Sequence, residues 1–190
     1  FASAFFGKED GDWGVLTYDF DEVVDTLDAV YPYDWATFLD TRLRQPNQPA
    51  PVRGLEMAGY QLVWKDEPNP YAAGRIANGK YTDLFYSLGI NLNSDGKVTS
   101  TLWDGPAFNA GIVNGTRVMA VNGTAYSKDV IMDAVTAAKT SGEPIDLLVK
   151  RGEQFDTLSI RYDGGLRYPW IEPTKGGTTA FDRLLEARTR

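Results

Sequence analysis

Apolar positions follow two regimes along the chain, spaced as in helices before residue 45 and alternating as in strands after residue 80. Val23, Val24, Leu27 and Val30 share one helical face, and Trp35, Phe38, Leu39 and Leu43 share another. Asp19 followed by Glu22 has capping-box spacing, with Asp in place of the usual Ser or Thr. Pro32 ends that helix and Asp34 can cap the next. Residues 1–44 are therefore expected to be helical. The two stripes are too short to bury each other fully, so the pair is expected to dock on something else. Pro46, Pro49 and Pro51 mark Gln45 to Pro51 as an extended linker. Tyr60 to Trp64 alternates like a strand, while Asp66 to Gly79, with Pro68 and Pro70, is expected to be irregular.

Beyond Tyr81 the pattern is one of short strands and sharp turns. Tyr81 to Asn93 carries a Leu88-Gly89-Ile90 segment, and Ser94-Asp95-Gly96 turns the chain into a strand over Lys97 to Trp103. Pro106 to Ala110 is expected as a short helix with Gly111 behind it. Thr116 to Val121 reads as a strand, and Asn122-Gly123 carries a type I′ turn signal. Ser127 can cap a helix running to about Lys139 and ending near Gly142. Ile145 to Lys150 and Thr157 to Tyr162 form a hairpin around Arg151-Gly152-Glu153. Tyr168 to Pro173 looks extended, and Phe181 to Arg188 is expected as a terminal helix. The fold class expected from these elements is α+β.

Composition narrows the function. A hydrophobic share of 43% over 190 residues suffices for a sizeable core. The net charge of -7 argues against nucleic acid as a partner, since phosphate binding needs a basic surface. No apolar run approaches the roughly 20 residues that span a bilayer, so no membrane span is expected. With neither histidine nor cysteine, the usual zinc ligands and the base of most nucleophilic hydrolases are missing from the chain. Cysteine usage cannot report the compartment; a periplasmic or otherwise extracytoplasmic setting is the working expectation. The opening Phe1-Ala2-Ser3-Ala4-Phe5-Phe6 looks like the inside of a helix, and the chain is expected to be the C-terminal piece of a longer protein.

Three segments carry the binding chemistry: Ser87-Leu88-Gly89-Ile90, Asp104-Gly105-Pro106-Ala107-Phe108-Asn109-Ala110-Gly111-Ile112 and Val118-Met119-Ala120-Val121-Asn122-Gly123. In that order and spacing they resemble the peptide-binding core of a PDZ domain. The resemblance implies a partly open, barrel-like or sandwich-like sheet with two helices, preceded here by the helical subdomain. It also implies a glycine loop whose backbone N–H groups hold a terminal carboxylate, and a strand edge that pairs with the peptide. Leu88, Gly89 and Ile90 would make the loop, and Ile90, Asn91 and Leu92 the edge. The helix after Ser127 would supply the opposite wall through Ile131, Val135 and Ala138, with Val130, Ala134 and Ala137 facing the core. The partner so implied is a peptide or a protein C-terminus.

Other candidates are better explained by structure. Asn91 to Gly96 has a superficial calcium-loop look, but Asn91 and Leu102 stand where an acidic first ligand and a bidentate Glu belong. Asp19, Asp21, Glu22, Asp25 and Asp28 complement a helix N-terminus and face water. Ser127-Lys128 is a cap, not a dyad, because adjacent helical side chains diverge by about 100°. Asn114-Gly115-Thr116 and Asn122-Gly123-Thr124 match the glycosylation pattern but read as turns.

The resemblance extends further. Ala4-Phe5-Phe6-Gly7, Tyr18 to Val24, Pro32-Tyr33-Asp34-Trp35, Gly59 to Val63, Leu102 to Phe108, Leu147 to Gly152 and Gly164-Gly165-Leu166-Arg167-Tyr168-Pro169 together resemble the glycyl aminopeptidase family over nearly the whole chain. Members of that family are zinc metallopeptidases with a His-Glu-x-x-His helix, a further Glu ligand and a following PDZ domain. The resemblance implies that residues 1–57 are the end of the catalytic region plus linker, 58–165 the PDZ-like domain and 166–190 a tail packing back on the body. It assigns no catalytic residue and no cofactor to this chain, because the zinc machinery would lie upstream in its own catalytic domain, the second implied partner. Asp163 and Trp170 stand where the family's pattern suggests histidine. Against peptide recognition stands a structural module whose groove is closed by its own tail or linker.

Overall fold

The computed structural model describes residues 1–8, 11, 14–46, 48–174 and 176–187. The chain divides into two compact units, Phe1–Pro51 and Val52–Arg190.

In the first unit, α1 (Ala2–Phe6), α2 (Phe20–Val30) and α3 (Trp35–Arg44) are the helices among the described residues. The continuous helicity expected from residue 1 breaks at Gly7. A glycine costs a helix about 1 kcal/mol relative to alanine, and Gly11 and Gly14 follow. Asp19 accepts the Glu22 N–H at 2.9 Å and Asp34 accepts that of Thr37 at 3.1 Å, so both expected caps form. Phe5 is buried among the rings of Phe1, Phe6 and Tyr18, at 5.0, 5.2 and 5.1 Å. Neither α2 nor α3 buries a single residue. Of the acidic residues, Glu22 pairs with Lys8 and the Asp28 carboxylate accepts the Tyr33 N–H.

The second unit opens with α4 (Arg53–Met57) and β1 (Tyr60–Lys65). Next comes α5 (Pro70–Gly79), where an irregular segment was expected. Asn69 caps it through the Ala72 N–H at 2.9 Å, and Pro70 sits in its first turn, where proline's fixed φ helps and its missing N–H costs nothing. The single strand expected over Tyr81 to Asn93 is instead two strands, β2 (Thr82–Leu84) and β3 (Ile90–Leu92), around a loop. Then follow β4 (Val98–Thr101), α6 (Pro106–Asn109), β5 (Arg117–Val121), β6 (Thr124–Ala125), α7 (Lys128–Ser141), β7 (Ile145–Arg151), β8 (Gln154–Ile160), β9 (Tyr168–Pro173) and α8 (Ala180–Leu185). Arg188, the expected end of α8, lies outside the described residues.

The strands form three antiparallel sheets, ordered β1-β9, β2-β3-β4 and β6-β5-β7-β8. The fold is α+β with open sheets, and the run from β3 to β7 has the PDZ-like order of strands and two helices. Local chemistry fixes the turns. Asn122 and Gly123 take φ of 48° and 79°, the two positive values of a type I′ turn, closing β5 onto β6. In β7, Ile145, Leu147 and Val149 point inward while their neighbours face out, as the two-residue period requires. They meet α7 and β3 in one core. No helix among the described residues is long and apolar enough to cross a membrane.

Protection should follow burial. Amide exchange is expected to be faster across α2 and α3 than across β5, whose Val118 and Val121 are in the core. Equal protection of the two regions in a dilute monomer would contradict this.

Candidate functional site

The loop between β2 and β3 brings the expected binding residues together. Gly89 has a φ of +81°, and a Cβ there would stand 3.3 Å from the Leu102 Cβ and 3.4 Å from the Gly105 Cα. Only glycine fits this close crossing. The carbonyls of Leu88 and Gly89 accept the N–H groups of Ala107 and Leu102, which fixes the loop against α6. The Ser87 and Gly89 N–H groups both converge on one acceptor, the Leu84 carbonyl, at 3.1 and 3.0 Å.

That acceptor belongs to the chain itself. β2 lies antiparallel on the edge of β3 away from β4, with Thr82 opposite Leu92, Asp83 opposite Asn91 and Leu84 opposite Ile90. The edge expected to be free for strand addition is therefore paired. Leu84 is 1% exposed and joins the core. The Thr82 hydroxyl, on a residue 2% exposed, stands 3.4 Å from the Tyr126 hydroxyl. Turned to suit its neighbours, the Asn91 amide donates to the Asp83 carboxylate at 3.0 Å and accepts from the Ser100 hydroxyl at 3.0 Å.

The opposite wall is arranged differently from the expectation. Ile131, Val135 and Ala138 of α7 are buried in the core, Val130 and Ala134 are half-buried beside it, and Ala137 is exposed. The expected core place of Ala137 is corrected accordingly, while Val130 and Ala134 do pack against the core. Asp129, Asp133, Thr136 and Thr140 cluster on one side of the helix at about 100° per residue, and Ile131 and Ala138 lie opposite them. The polar face was the signal that identifies the inward one. Burying Ile and Val also removes more apolar area than burying Val and two alanines. Of the other expected contacts, Leu88, Gly89, Ile90 and Leu92 are buried and Asn91 is half-buried. They form a covered surface.

The segment after β8 lies over the same place. The Arg167 N–H donates to the Ser87 hydroxyl at 3.1 Å, and the Tyr162 hydroxyl donates to the Gly165 carbonyl at 2.9 Å. The Arg167 guanidinium sits 4.1 Å over the Trp64 ring, which packs on Tyr86 of the loop at 5.2 Å. Tyr168 donates to the Asp83 carbonyl at 3.0 Å. Burial, helped by the Asp83 charge, pushes the Tyr168 phenol up to about 12. Burial likewise raises Tyr126 against an opposing hydrogen bond from Thr82. Thr82, Asp83, Leu84, Tyr126 and Tyr168 are site residues that the sequence reading missed.

No group of three or more carboxylates suited to a metal occurs among the described residues. The Ser127 hydroxyl accepts the Val130 N–H at 3.2 Å as a helix cap, as expected. The arrangement comprises two loop N–H groups that share one carbonyl, a covered apolar face and a paired strand edge.

Comparison with known proteins finds no matching family model and no curated relative. Among solved structures, the chain is similar to an aminopeptidase N family protein from Idiomarina loihiensis, with a TM-score of 0.54 and 13% identity. The match covers 83% of this chain and 27% of that one, so the chain spans about a quarter of that protein's length. This likeness shows the fold. Two lower-scoring matches are the HtrA3 PDZ domain bound to a phage-derived ligand and the photosystem II D1 C-terminal processing protease. The first has a TM-score of 0.30 and 17% identity, covering 60% of this chain and 91% of that one. The second has a TM-score of 0.28 and 16% identity, covering 73% and 46%.

Two outcomes follow from the geometry. Ile131→Glu should unfold the second unit, because a carboxylate placed in this core forfeits Ile packing and the hydration of its charge. The cost should exceed about 4 kcal/mol; a folded variant by circular dichroism would contradict the burial. Tyr168 has a folded-state pKa above its ordinary 10.0. Its contribution is fully present below pH 10 and lost as pH rises through about 12. Tyr168→Phe should remove about 2 to 3 kcal/mol of the alkaline fall in stability, measured by urea unfolding between pH 9 and pH 12. An unchanged slope would contradict it.

Proposed function

We infer that this chain is the non-catalytic, PDZ-containing part of a metallo-aminopeptidase, and that it positions the catalytic domain while its own peptide groove stays filled. The observation that carries this reading is the pairing of Thr82–Leu84 with β3 on the edge a peptide would use. A strand edge already paired offers no backbone donors to a second strand. The fold likeness to an aminopeptidase N family protein, of which the chain spans 27%, supports a role within a larger peptidase. The lack of histidine and cysteine supports assigning the hydrolytic step, and the zinc it needs, to that larger protein.

The peptide-recognition reading remains tied to the same residues. Leu88, Gly89, Ile90, Asn91, Leu92, Ile131, Val135 and Ala138 would contact a peptide once β2 has left.

The dialysed protein should hold no stoichiometric zinc by elemental analysis and show no turnover of aminoacyl-anilides above blank. Titration with a diverse set of free C-terminal peptides should give no binding tighter than about 1 mM, or about -4 kcal/mol. One tightly held zinc per chain, or turnover, overturns the non-catalytic reading. Micromolar peptide binding to the unaltered chain overturns the filled groove.

A further inference from the structure

We propose that β8 is a docking edge whose occupant is the β8 of a second copy of this chain, paired antiparallel about Thr157. The inference goes beyond the reading above and does not depend on the groove. β8 is an outer strand of the β6-β5-β7-β8 sheet and runs seven residues in regular register with β7. An outer strand presents a row of unpaired N–H and C=O groups, and folds blunt it with shortness, lysine, proline, a bulge or a cover. The other outer strands here are treated in that way. β2 and β6 have three and two residues, and β9 carries Pro169 and Pro173. β1 ends on Lys65, and β4 is met at Val98 by the Thr116 carbonyl and the Gly115 N–H. β8 contains no Pro, Lys, Gly or bulge, and Gln154 to Thr157 and Ser159 are exposed. Its one charge, Asp156, is paired with Arg151 at 3.0 Å.

The phase of the ladder selects the register. Gly152 and Glu153 make a two-residue turn, with a φ of 59° at Gly152 as a type II′ turn requires. The closing pair, Arg151 and Gln154, then exchanges ladder bonds, and so does every second pair beyond it. The backbone groups of Phe155, Thr157 and Ser159 therefore point outward, and none of them is bonded elsewhere among the described residues. Thr157 is the centre of this set. A twofold axis there sets Thr157 opposite itself and Phe155 opposite Ser159 of the second copy, which pairs every outward group on both copies. Other antiparallel registers of the two strands leave some of them unpaired. The charges agree with this register. Glu153 stands level with Arg161 of the second copy, at both ends of the interface. On the outer face a row runs from Lys150 through Phe155 to Ser159 and Asp146 of the second copy, from cation to anion. On the inner face Asp156 meets Leu158 of the second copy, so like charges are nowhere directly opposed.

The test is sedimentation equilibrium of the full chain. A strand-to-strand interface is small, so the mass should climb from one chain towards two between about 10 μM and about 1 mM. Thr157 is exposed, so Thr157→Lys and Thr157→Glu should keep the single-chain fold. Each sets like charges directly opposite at the axis and should weaken self-association about fivefold or more. Mixed in equal amounts, the two variants should associate at least as tightly as the unaltered chain, because the axis then joins opposite charges. No register that moves Thr157 away from its counterpart gives this rescue. Amide exchange of the unaltered chain should slow at Phe155, Thr157 and Ser159 as concentration rises. A single-chain mass throughout that range overturns the proposal and leaves the edge to a different partner. Undiminished association of both variants, a mixture no tighter than its components, or slowed exchange confined to other residues would each overturn it as well.

Discussion

The Leu84 carbonyl, held by two loop N–H groups, is the contact on which the second unit's arrangement depends. Backbone polar groups buried without partners cost about as much as a lost hydrogen bond each. The loop from Phe85 to Gly89 turns back on itself so tightly that its inward amides have nowhere to point except the end of β2. Once Leu84 is seated there, β2 falls into register with β3, and both edges of β3 are paired. The sheet face that would have opened to solvent becomes core, with Leu84, Leu88 and Ile90 meeting Ile131 and Val135 of α7. Gly89 makes the turn sterically allowed, and the crossing by Leu102 and Gly105 makes it compulsory.

What the sequence reveals here depends on whether the deciding interaction is local. The Asn122-Gly123 turn, the Ser127 cap and the alternation in β7 are each settled within a few residues, and each is legible. The α7 faces were legible too, from Asp129, Asp133, Thr136 and Thr140, but not from its apolar positions, which spread too widely to choose a side. α5 hid behind Pro68 and Pro70, because proline breaks a helix interior, yet Pro70 starts this helix well behind the Asn69 cap. β2 is the illegible element. Thr82-Asp83-Leu84 carries no pattern that three residues can establish, and its pairing is imposed by a loop whose geometry rests on Gly105 and Ala107, some twenty residues away. A free edge was the natural reading because nothing local announces an occupant.

The segment from Tyr162 to β9 binds this arrangement to the rest of the unit. β9 pairs along its whole length with β1, from Tyr60 opposite Pro173 to Lys65 opposite Tyr168. At one end of this ribbon, Tyr168 reaches Asp83 and Arg167 reaches both Ser87 and Trp64. At the other, Tyr60 packs on Phe181 and donates to the Asp182 carboxylate, which also completes the α8 capping box. That sharing holds Asp182 below the usual carboxylate range and Tyr60 above the usual phenol range. The ribbon thus couples the terminal helix to the loop through contiguous pairing. The Tyr168 bond to the Asp83 carbonyl is the point at which the ribbon's near end meets β2.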